Sequence, residues 1–462
     1  MRWASIPGAS LVRAFGVLVD PLIIGGSLVL AVNMRLGPEA ADYRLLVPKA
    51  LLSALLFQLC LYYADVYETF PASNRIEMLR RLGQAFVLGT FALALVYLCI
   101  PALRVGRGIL ILHLPLAFAG VLLWRSLGLL AWNHEALRET VLILGTGQLA
   151  QQIAREMLGR AALGYRVVGF LGEHASQVGL RLVNPSVIGT LADLLPVVRR
   201  EKATSIVVAL DDFRGHLPVT ALLQCRLAGI RVEDAASSFE RLAGKIPVKT
   251  LRQSWFVFSD GFRRPRIFPK AKRTIEFCLA LFVFVLLSPL LALLALLIKV
   301  TSRGPVLHSQ ERVGEHGRTF WLHKLRSMRI DAESGTGPVW ATSGHDSRTT
   351  YLGRWLRRLR LDEIPQILNV LRGEMSFVGP RPERPHFVEK LRYAIPFYDE
   401  RHTVKPGITG WAQIKFGYGS NVEDAEAKLE FDLYYIKHMS LFLDLGIVFH
   451  TVKVMLLGRG AR

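Results

Sequence analysis

A chain of 462 residues, 51% of them hydrophobic and gathered into long runs, is too long for one ordinary domain and too apolar for a single soluble core. Its formal charge of +20 suits an anionic bilayer surface or phosphorylated substrates, and no groove-reading motif accompanies that charge, which argues against nucleic acid as a partner. The four cysteines, Cys60, Cys99, Cys225 and Cys278, form no CxxC, so neither a disulfide framework nor a zinc site follows from them.

Four apolar runs, at about 14–33, 45–64, 83–101 and 108–132, each approach the ~20 residues that cross a bilayer. They predict a four-helix transmembrane bundle within residues 1–135. The first run lacks a small-residue cleavage pattern and three more follow it closely, so it reads as a span and not a signal peptide. Arg2 and Arg13 before the first span, with Arg75, Arg80 and Arg81 between the second and third, favour a cytoplasmic N-terminus. An even number of spans then returns the chain to the cytoplasm near Glu139. Asp20 and Arg125 fall inside the first and fourth runs, where mutual neutralisation or a place near the headgroups is expected of them.

Residues 136–262 turn soluble and alternating. Thr140–Leu144, Val167–Leu171 and Ser205–Leu210 read as strands with helices between them, a βαβ pattern that predicts a Rossmann-like parallel sheet. Gly145-x-Gly147-x-x-Ala150 fits a phosphate-cradling turn at a helix N-terminus, but a lone glycine fingerprint reads first as part of a structural or regulatory module. Glu173 arrives later than the ~20-residue spacing of a ribose contact. No Tyr-x-x-x-Lys pair occurs anywhere, which argues against a short-chain dehydrogenase or nucleotide-sugar dehydratase.

A fifth apolar run, Ile275 to Ile298, has the length of a transmembrane helix, but Lys270, Lys272 and Arg273 precede it and Lys299 and Arg303 follow. Ser288-Pro289 sits at its middle. Proline lacks the donor N–H and clashes with the preceding turn, and the freed carbonyl needs a partner in lipid, for which the Ser288 hydroxyl is the local candidate. A helix broken at its midpoint with cations at both ends enters and leaves by one face. The re-entrant reading of residues 272–298 also keeps the nucleotide-handling chemistry that follows on the cytoplasmic side; a straight fifth span with a proline kink is the other reading.

From Lys299 onward the motifs are dense. Arg312-Val-Gly-Glu-His-Gly-Arg318 is a glycine-punctuated basic loop, followed by Lys324-Leu-Arg-Ser-Met328. Asp362-Glu363 is a carboxylate pair placed directly after Arg354, Arg357, Arg358 and Arg360. A carboxylate serves as a nucleophile on a phosphoryl centre when arginines and a hard cation neutralise the phosphate oxygens. Arg381, between Pro380 and Pro382, is a second clamp candidate. Singly, an acidic pair at a helix end is a cap and an arginine stripe is a membrane-surface face. The histidines show no metal-ligand spacing, and Leu429–Leu457 reads as one or two amphipathic helices.

In order, these motifs resemble those of the polyprenyl-phosphate hexose-1-phosphate transferases, the large monotopic phosphoglycosyl transferases of bacterial exopolysaccharide, capsule and O-antigen assembly. The resemblance is strong over roughly 268–462. It includes the Lys272-Arg273 pair, Ser288-Pro289, Lys-x-Arg-Ser-Met from Lys324, Leu361-Asp-Glu-Ile-Pro-Gln366, Gly373-x-Met-Ser-x-Val-Gly-Pro-Arg-Pro382, Lys405-Pro-Gly-Ile-Thr-Gly410 and Tyr434-Tyr435. Leu325 departs from the family's usual phenylalanine, an exchange that touches packing and not chemistry.

The resemblance implies a monotopic α/β catalytic domain over 263–462 on a re-entrant helix, behind a CoA- or nucleotide-binding-like module. It implies Asp362 as the nucleophile on the β-phosphate of a UDP-sugar, with release of UMP, and undecaprenyl phosphate as the acceptor. Glu363 would share a Mg2+ ion with Asp362 and assist proton handling, while Lys324, Arg326, Arg357, Gln366 and Arg381 would bind substrate. The implied setting is the bacterial inner membrane with the catalytic domain on its cytoplasmic face, and a homodimer is plausible. Two other classes stay open: a membrane-anchored NAD-dependent nucleotide-sugar enzyme, and a non-enzymatic nucleotide-sensing scaffold of polysaccharide export. No motif encodes the sugar, since discrimination among sugars rests on a few hydroxyl contacts.

Overall fold

The computed structural model describes residues 9–37, 43–69, 75–132, 138–159, 164–210, 217–250, 255, 259–262, 265, 267–329, 348–417, 419 and 421–456. Arg2, part of the orientation argument, lies outside them. The chain divides into two compact units, Met1–Ser238 and Phe239–Arg462.

The first unit begins with four long apolar helices, α1 (Ala9–Leu36), α2 (Tyr43–Tyr63), α3 (Arg75–Cys99) and α4 (Arg107–Trp132). Each contains a stretch long and apolar enough to cross a membrane. They share a core in which Ile24, Phe57, Leu61, Leu82, Ala85, Ala117 and Val121 are buried. Two sets of polar side chains inside it are paired. Asp20 and Arg125 pair at 2.5 Å with both side chains out of reach of solvent, the mutual neutralisation expected of them. His113 is hydrogen-bonded on both ring nitrogens, to Ser27 and Ser53, each at 2.9 Å. Ser27 spends its own proton on the Ile24 carbonyl at 2.7 Å, so His113 Nδ1 is the donor to Ser27. That leaves Nε2 as acceptor from Ser53, and three helices are tied through one ring.

The same unit continues into a parallel sheet in the order β3-β2-β1-β4-β5: β1 (Glu139–Leu144), β2 (Tyr165–Gly172), β3 (Val187–Thr190), β4 (Ser205–Val208) and β5 (Arg231–Asp234). Helices α5 (Gln148–Gly159), α6 (Leu194–Glu201) and α7 (Val219–Leu227) connect them. The register Val141↔Val167 on one side of β1 and Leu142↔Ile206 on the other places the apolar runs at the sheet centre. The helical membrane-like region and the parallel α/β module are thus both present. Strands β3 and β5 escape a reading of apolar runs because they are four-residue edges, and β5 reads Arg-Val-Glu-Asp.

In the second unit α8 (Phe268–Thr301) is one helix of 34 residues, the most apolar of the five membrane-length helices. A helix of that length measures about 50 Å, more than the ~30 Å bilayer core. The expected break at its midpoint is not present: the helix runs unbroken past Pro289, because the freed carbonyl finds a partner. Pro289 has no N–H to give Val285, four residues back, and Ser288 Oγ donates to that carbonyl at 2.8 Å instead. Phe282, Val285 and Leu286 around this point are 66%, 62% and 63% exposed.

After α8 come the antiparallel hairpin β6 (Leu307–Val313) and β7 (Thr319–Leu325), then α9 (Tyr351–Arg358) and α10 (Gln366–Arg372). The short parallel pair β8 (Ser376–Val378) and β9 (Gly407–Thr409) brackets α11 (Pro385–Ala394), and α12 (Val422–His438) and α13 (Leu441–Leu456) close the unit. The C-terminal amphipathic stretch is therefore two helices. Ile246 and Val248 lie in the core of this unit with Val313, Val378, Tyr398, Leu429 and Leu433. Glu240 holds Lys437 at 2.7 Å. The described residues within 239–262 consequently pack with the segment that follows, ahead of the 262/263 boundary read from the sequence.

Both halves of α8 pack on this unit: Ala280 meets Phe320, Ile367 and Val370, while Leu294 and Ile298 meet Leu325 and Leu356. Near its start Arg273 donates to the carbonyls of Val370 (2.5 Å) and Leu371 (2.8 Å), at the negative end of α10. Lys272 is buried against Asp444, Glu276 at 3.2 Å and Tyr435 Oη at 3.3 Å.

Candidate active site

The carboxylate pair stands on a single tight turn, Leu361–Glu363, between α9 and α10. Thr350 caps α9 by accepting from Gly353 N at 2.9 Å. Gly353 must be glycine, because a Cβ there would overlap the Ser327 carbonyl oxygen. Arg360, at φ 54°, takes a left-handed conformation that costs a non-glycine residue about 1 kcal/mol or more and turns the chain sharply into Asp362. Asn369 in α10 ties the turn's far side to β7: its Nδ2 donates to Trp321 O at 2.7 Å and its Oδ1 accepts from His323 N at 3.2 Å. Lys324, next on β7, is thereby aimed at the pair.

Asp362 is 7% exposed. Burial lifts its carboxyl above the ordinary aspartate range, Lys324 and Arg357 pull it back, and the neighbouring Glu363 adds to the lift. Glu363 behaves oppositely. Burial opposes its charge, but Lys324 and Arg381 outweigh burial and hold it well below the usual carboxylate range. Its Oε1 accepts from Lys324 Nζ at 3.1 Å and from Arg381 at 3.2 Å. A carboxylate held ionised by two cations is a weak base, which fits an orienting anion better than the expected proton carrier.

Arg381 projects from a loop whose consecutive carbonyls are all pinned. Pro380 O accepts from Gly407 N at 2.9 Å, and Glu383 O from Val313 N at 2.9 Å. Between them Arg381 O accepts from Arg401 at 3.0 Å and Pro382 O from Arg312 at 3.0 Å. Arg401 also bonds Asp432 (2.9 Å) and Tyr398 Oη (2.6 Å). Burial works against the Arg401 charge, but Tyr398, Asp432 and Glu383 together keep its pKa above the ordinary guanidinium value. Arg401, Asp432 and Tyr398 were not singled out in the sequence. Arg401 lies 20 residues from Arg381 and Asp432 lies 31 from Arg401, so no local spacing marks the arrangement.

The structure thus brings Asp362, Glu363, Lys324 and Arg381 together, with Arg357 close enough to act on Asp362 electrostatically. Arg357 is exposed and reaches Met328 Sδ at 3.8 Å. Gln366 is buried at the first position of α10. Arg326 is placed elsewhere: its guanidinium closes the end of α8, on Ser302 O (2.8 Å), Ser302 Oγ (2.7 Å) and Arg303 O (2.9 Å). In the first unit Gly145 ends β1 at φ 106°, and a Cβ there would overlap the Ala209 carbonyl. That close crossing requires glycine whether or not a ligand binds. Beyond it, the Thr146 hydroxyl accepts from Gln177 Nε2 at 3.3 Å, and Gly147 leads into α5.

No group of three or more His, Cys, Asp or Glu side chains forms a metal cage among the described residues. Two adjacent carboxylates suit a magnesium-like cation, which keeps several waters and completes its shell with substrate phosphates.

Residues 268–458 match the family model described as bacterial sugar transferase, and residues 63–214 match one described as CoA-binding domain. A UDP-N-acetylgalactosamine-undecaprenyl-phosphate N-acetylgalactosaminephosphotransferase of Aeromonas hydrophila is 43% identical over 253 residues, 54% of this chain and 58% of the relative. An undecaprenyl-phosphate glucose phosphotransferase of Komagataeibacter xylinus is 35% identical over 334 residues, 70% of this chain and 60% of the relative. A UDP-glucose:undecaprenyl-phosphate glucose-1-phosphate transferase of Xanthomonas campestris pv. campestris is 31% identical over 437 residues, 90% of this chain and 87% of the relative. The chain spans less than two thirds of the first two relatives and most of the third.

Proposed function

The chain belongs to the bacterial sugar transferase family, a polyprenyl-phosphate sugar-1-phosphate transferase family, and on that premise we propose that it moves a sugar-1-phosphate from a UDP-sugar to undecaprenyl phosphate. The transfer would take place at the cytoplasmic face of a bacterial inner membrane and would begin polysaccharide assembly. The observation that carries the reading is the buried Asp362 beside a Glu363 that gathers Lys324 and Arg381.

In the first displacement an Asp362 carboxylate oxygen attacks the β-phosphorus, and the bond from that phosphorus to the bridging oxygen breaks. UMP leaves with the bridging oxygen and its electron pair. The sugar phosphate is then held on Asp362 as an acyl phosphate. In the second displacement a phosphate oxygen of the polyprenyl acceptor attacks the same phosphorus and Asp362 leaves as a carboxylate. Dividing one transfer into two is the usual gain of covalent catalysis and makes the kinetics ping-pong. Lys324, Arg357 and Arg381 would offset phosphate charge as cations set around Asp362 and Glu363. A Mg2+ ion held by Asp362 and Glu363 would neutralise diphosphate oxygens when bound.

The re-entrant course of α8 belongs to the same proposal. Arg273 near one end and Ser302 at the other are both tied to the catalytic unit, and both halves of the helix pack on it. A straight span would carry one of those ends to the opposite side of the bilayer. Re-entry would instead leave the site at the depth of the lipid phosphate.

The test is UMP release from a panel of UDP-sugars by detergent-solubilised protein with Mg2+ and undecaprenyl phosphate. UMP formed from one sugar, dependent on Mg2+ and lost in Asp362→Asn, supports the reading; folded protein releasing none from any sugar overturns it.

A further inference from the structure

We propose that Arg401 is a positioning residue for this transfer: it fixes the backbone of Arg381 and thereby the place of the Arg381 guanidinium. The proposal rests on the reading of Arg381 as a phosphate clamp.

Backbone bonds hold the two ends of the clamp loop, and side chains hold its middle. Pairing between β8 and β9 ends at Val378↔Thr409, and Pro380 and Pro382 beyond it have no N–H to extend a ladder. The carbonyls of Pro380 and Glu383 accept from backbone donors, and those of Arg381 and Pro382 accept from guanidinium groups. For Arg381 that donor is 6% exposed and paired to Asp432, itself 2% exposed. Withdrawing both charges from water is costly before their attraction is counted. Such an arrangement is a poor way to gain stability and a good way to gain a fixed geometry.

One terminal nitrogen of Arg401 carries both bonds, to Arg381 O at 3.0 Å and to Asp432 Oδ2 at 2.9 Å, while the other meets Tyr398 Oη at 2.6 Å. None of these partners is Asp362 or Glu363, so Arg401 acts through Arg381. Misplacing a positioned group by about 1 Å can cost on the order of a hundredfold in rate.

A double-mutant cycle tests this. Arg401→Lys keeps the charge facing Asp432 but replaces the fork with one compact head. Tyr398→Phe removes a single bond and keeps the ring. Each is measured for kcat, KM and melting temperature in the wild-type and Arg381→Ala backgrounds. In the wild-type background Arg401→Lys is expected to lower kcat by about ten- to a hundredfold and Tyr398→Phe by less, with KM changed less than kcat. In Arg381→Ala both losses shrink to about twofold, because the group they position is gone.

Equal fold-losses in the two backgrounds, or unchanged kcat in both single variants, overturn the positioning role. If Arg401→Lys fails to fold, the Tyr398→Phe cycle decides alone. Failure of the underlying reading is seen separately, as wild-type protein without transfer activity or Arg381→Ala with full activity, and either result overturns this proposal too.

Discussion

Replacing Lys272 with methionine removes a cation that faces two carboxylates at once. Its Nζ meets Asp444, lies 3.2 Å from Glu276 and also donates to Tyr435 Oη at 3.3 Å and Val378 O at 3.5 Å. All three charged groups are less than 10% exposed. Methionine fills much of the volume, so the loss is electrostatic: two buried anions remain without their counter-ion. Breaking a buried pair by removing one partner costs about 3–5 kcal/mol. In a unit of 150–250 residues each kcal/mol moves the melting temperature by about 2–4 °C, so a fall of roughly 6–20 °C is expected. The assay is a thermal melt of the full chain in detergent. Lys272→Met combined with Asp444→Leu should recover much of the loss, because apolar replacement of a whole buried pair is often neutral. A single variant that melts within about 1 °C of the wild type would refute the reasoning, since that is below the cost of any broken buried pair.

Other outcomes follow from the site and from α8. Asp362 must be ionised to attack, and burial raises its pKa, so activity should fall as pH drops through a midpoint above the ordinary value of 3.8. Arg357→Gln removes a cation that lowers this pKa and should move the acid limb of kcat/KM to still higher pH; an unmoved limb would contradict the assignment. For topology, single cysteines at Ile267 and Val300, which are 74% and 76% exposed, are to be placed in a cysteine-free background. Re-entry has an impermeant maleimide label both from the cytoplasmic side of oriented vesicles, whereas labelling from opposite sides would establish a straight span.

Much of the architecture is legible in the sequence because it follows from local composition. The four N-terminal apolar runs became helices, and the central apolar strands of the parallel sheet were visible as such. Ser288-Pro289 was legible down to the hydrogen bond, since a missing N–H and a hydroxyl one residue earlier share one carbonyl, that of Val285. The short charged edge strand Arg231–Asp234 was not legible, as it lacks an apolar pattern and takes its form from pairing with β4. At the site, Asp362, Glu363, Lys324 and Arg381 stand out by motif and converge. Arg326 shows the limit of motif reading, because it lies two residues from Lys324 yet turns to the end of α8. Arg401 and Asp432 were invisible for another reason. Asp432 pairs with Arg401, and Arg401 donates across the fold to the backbone carbonyl of Arg381, which leaves no trace in residue identity.

The most direct test of the central claim is isotope exchange without the lipid acceptor. Labelled UMP is mixed with the preferred UDP-sugar, Mg2+ and wild-type protein, and label entering the UDP-sugar is followed. If Asp362 holds the phosphosugar, exchange proceeds at a rate comparable with turnover and disappears in Asp362→Asn. If label never enters the UDP-sugar while the complete reaction runs normally, the transfer is a single direct displacement and Asp362 is not its nucleophile.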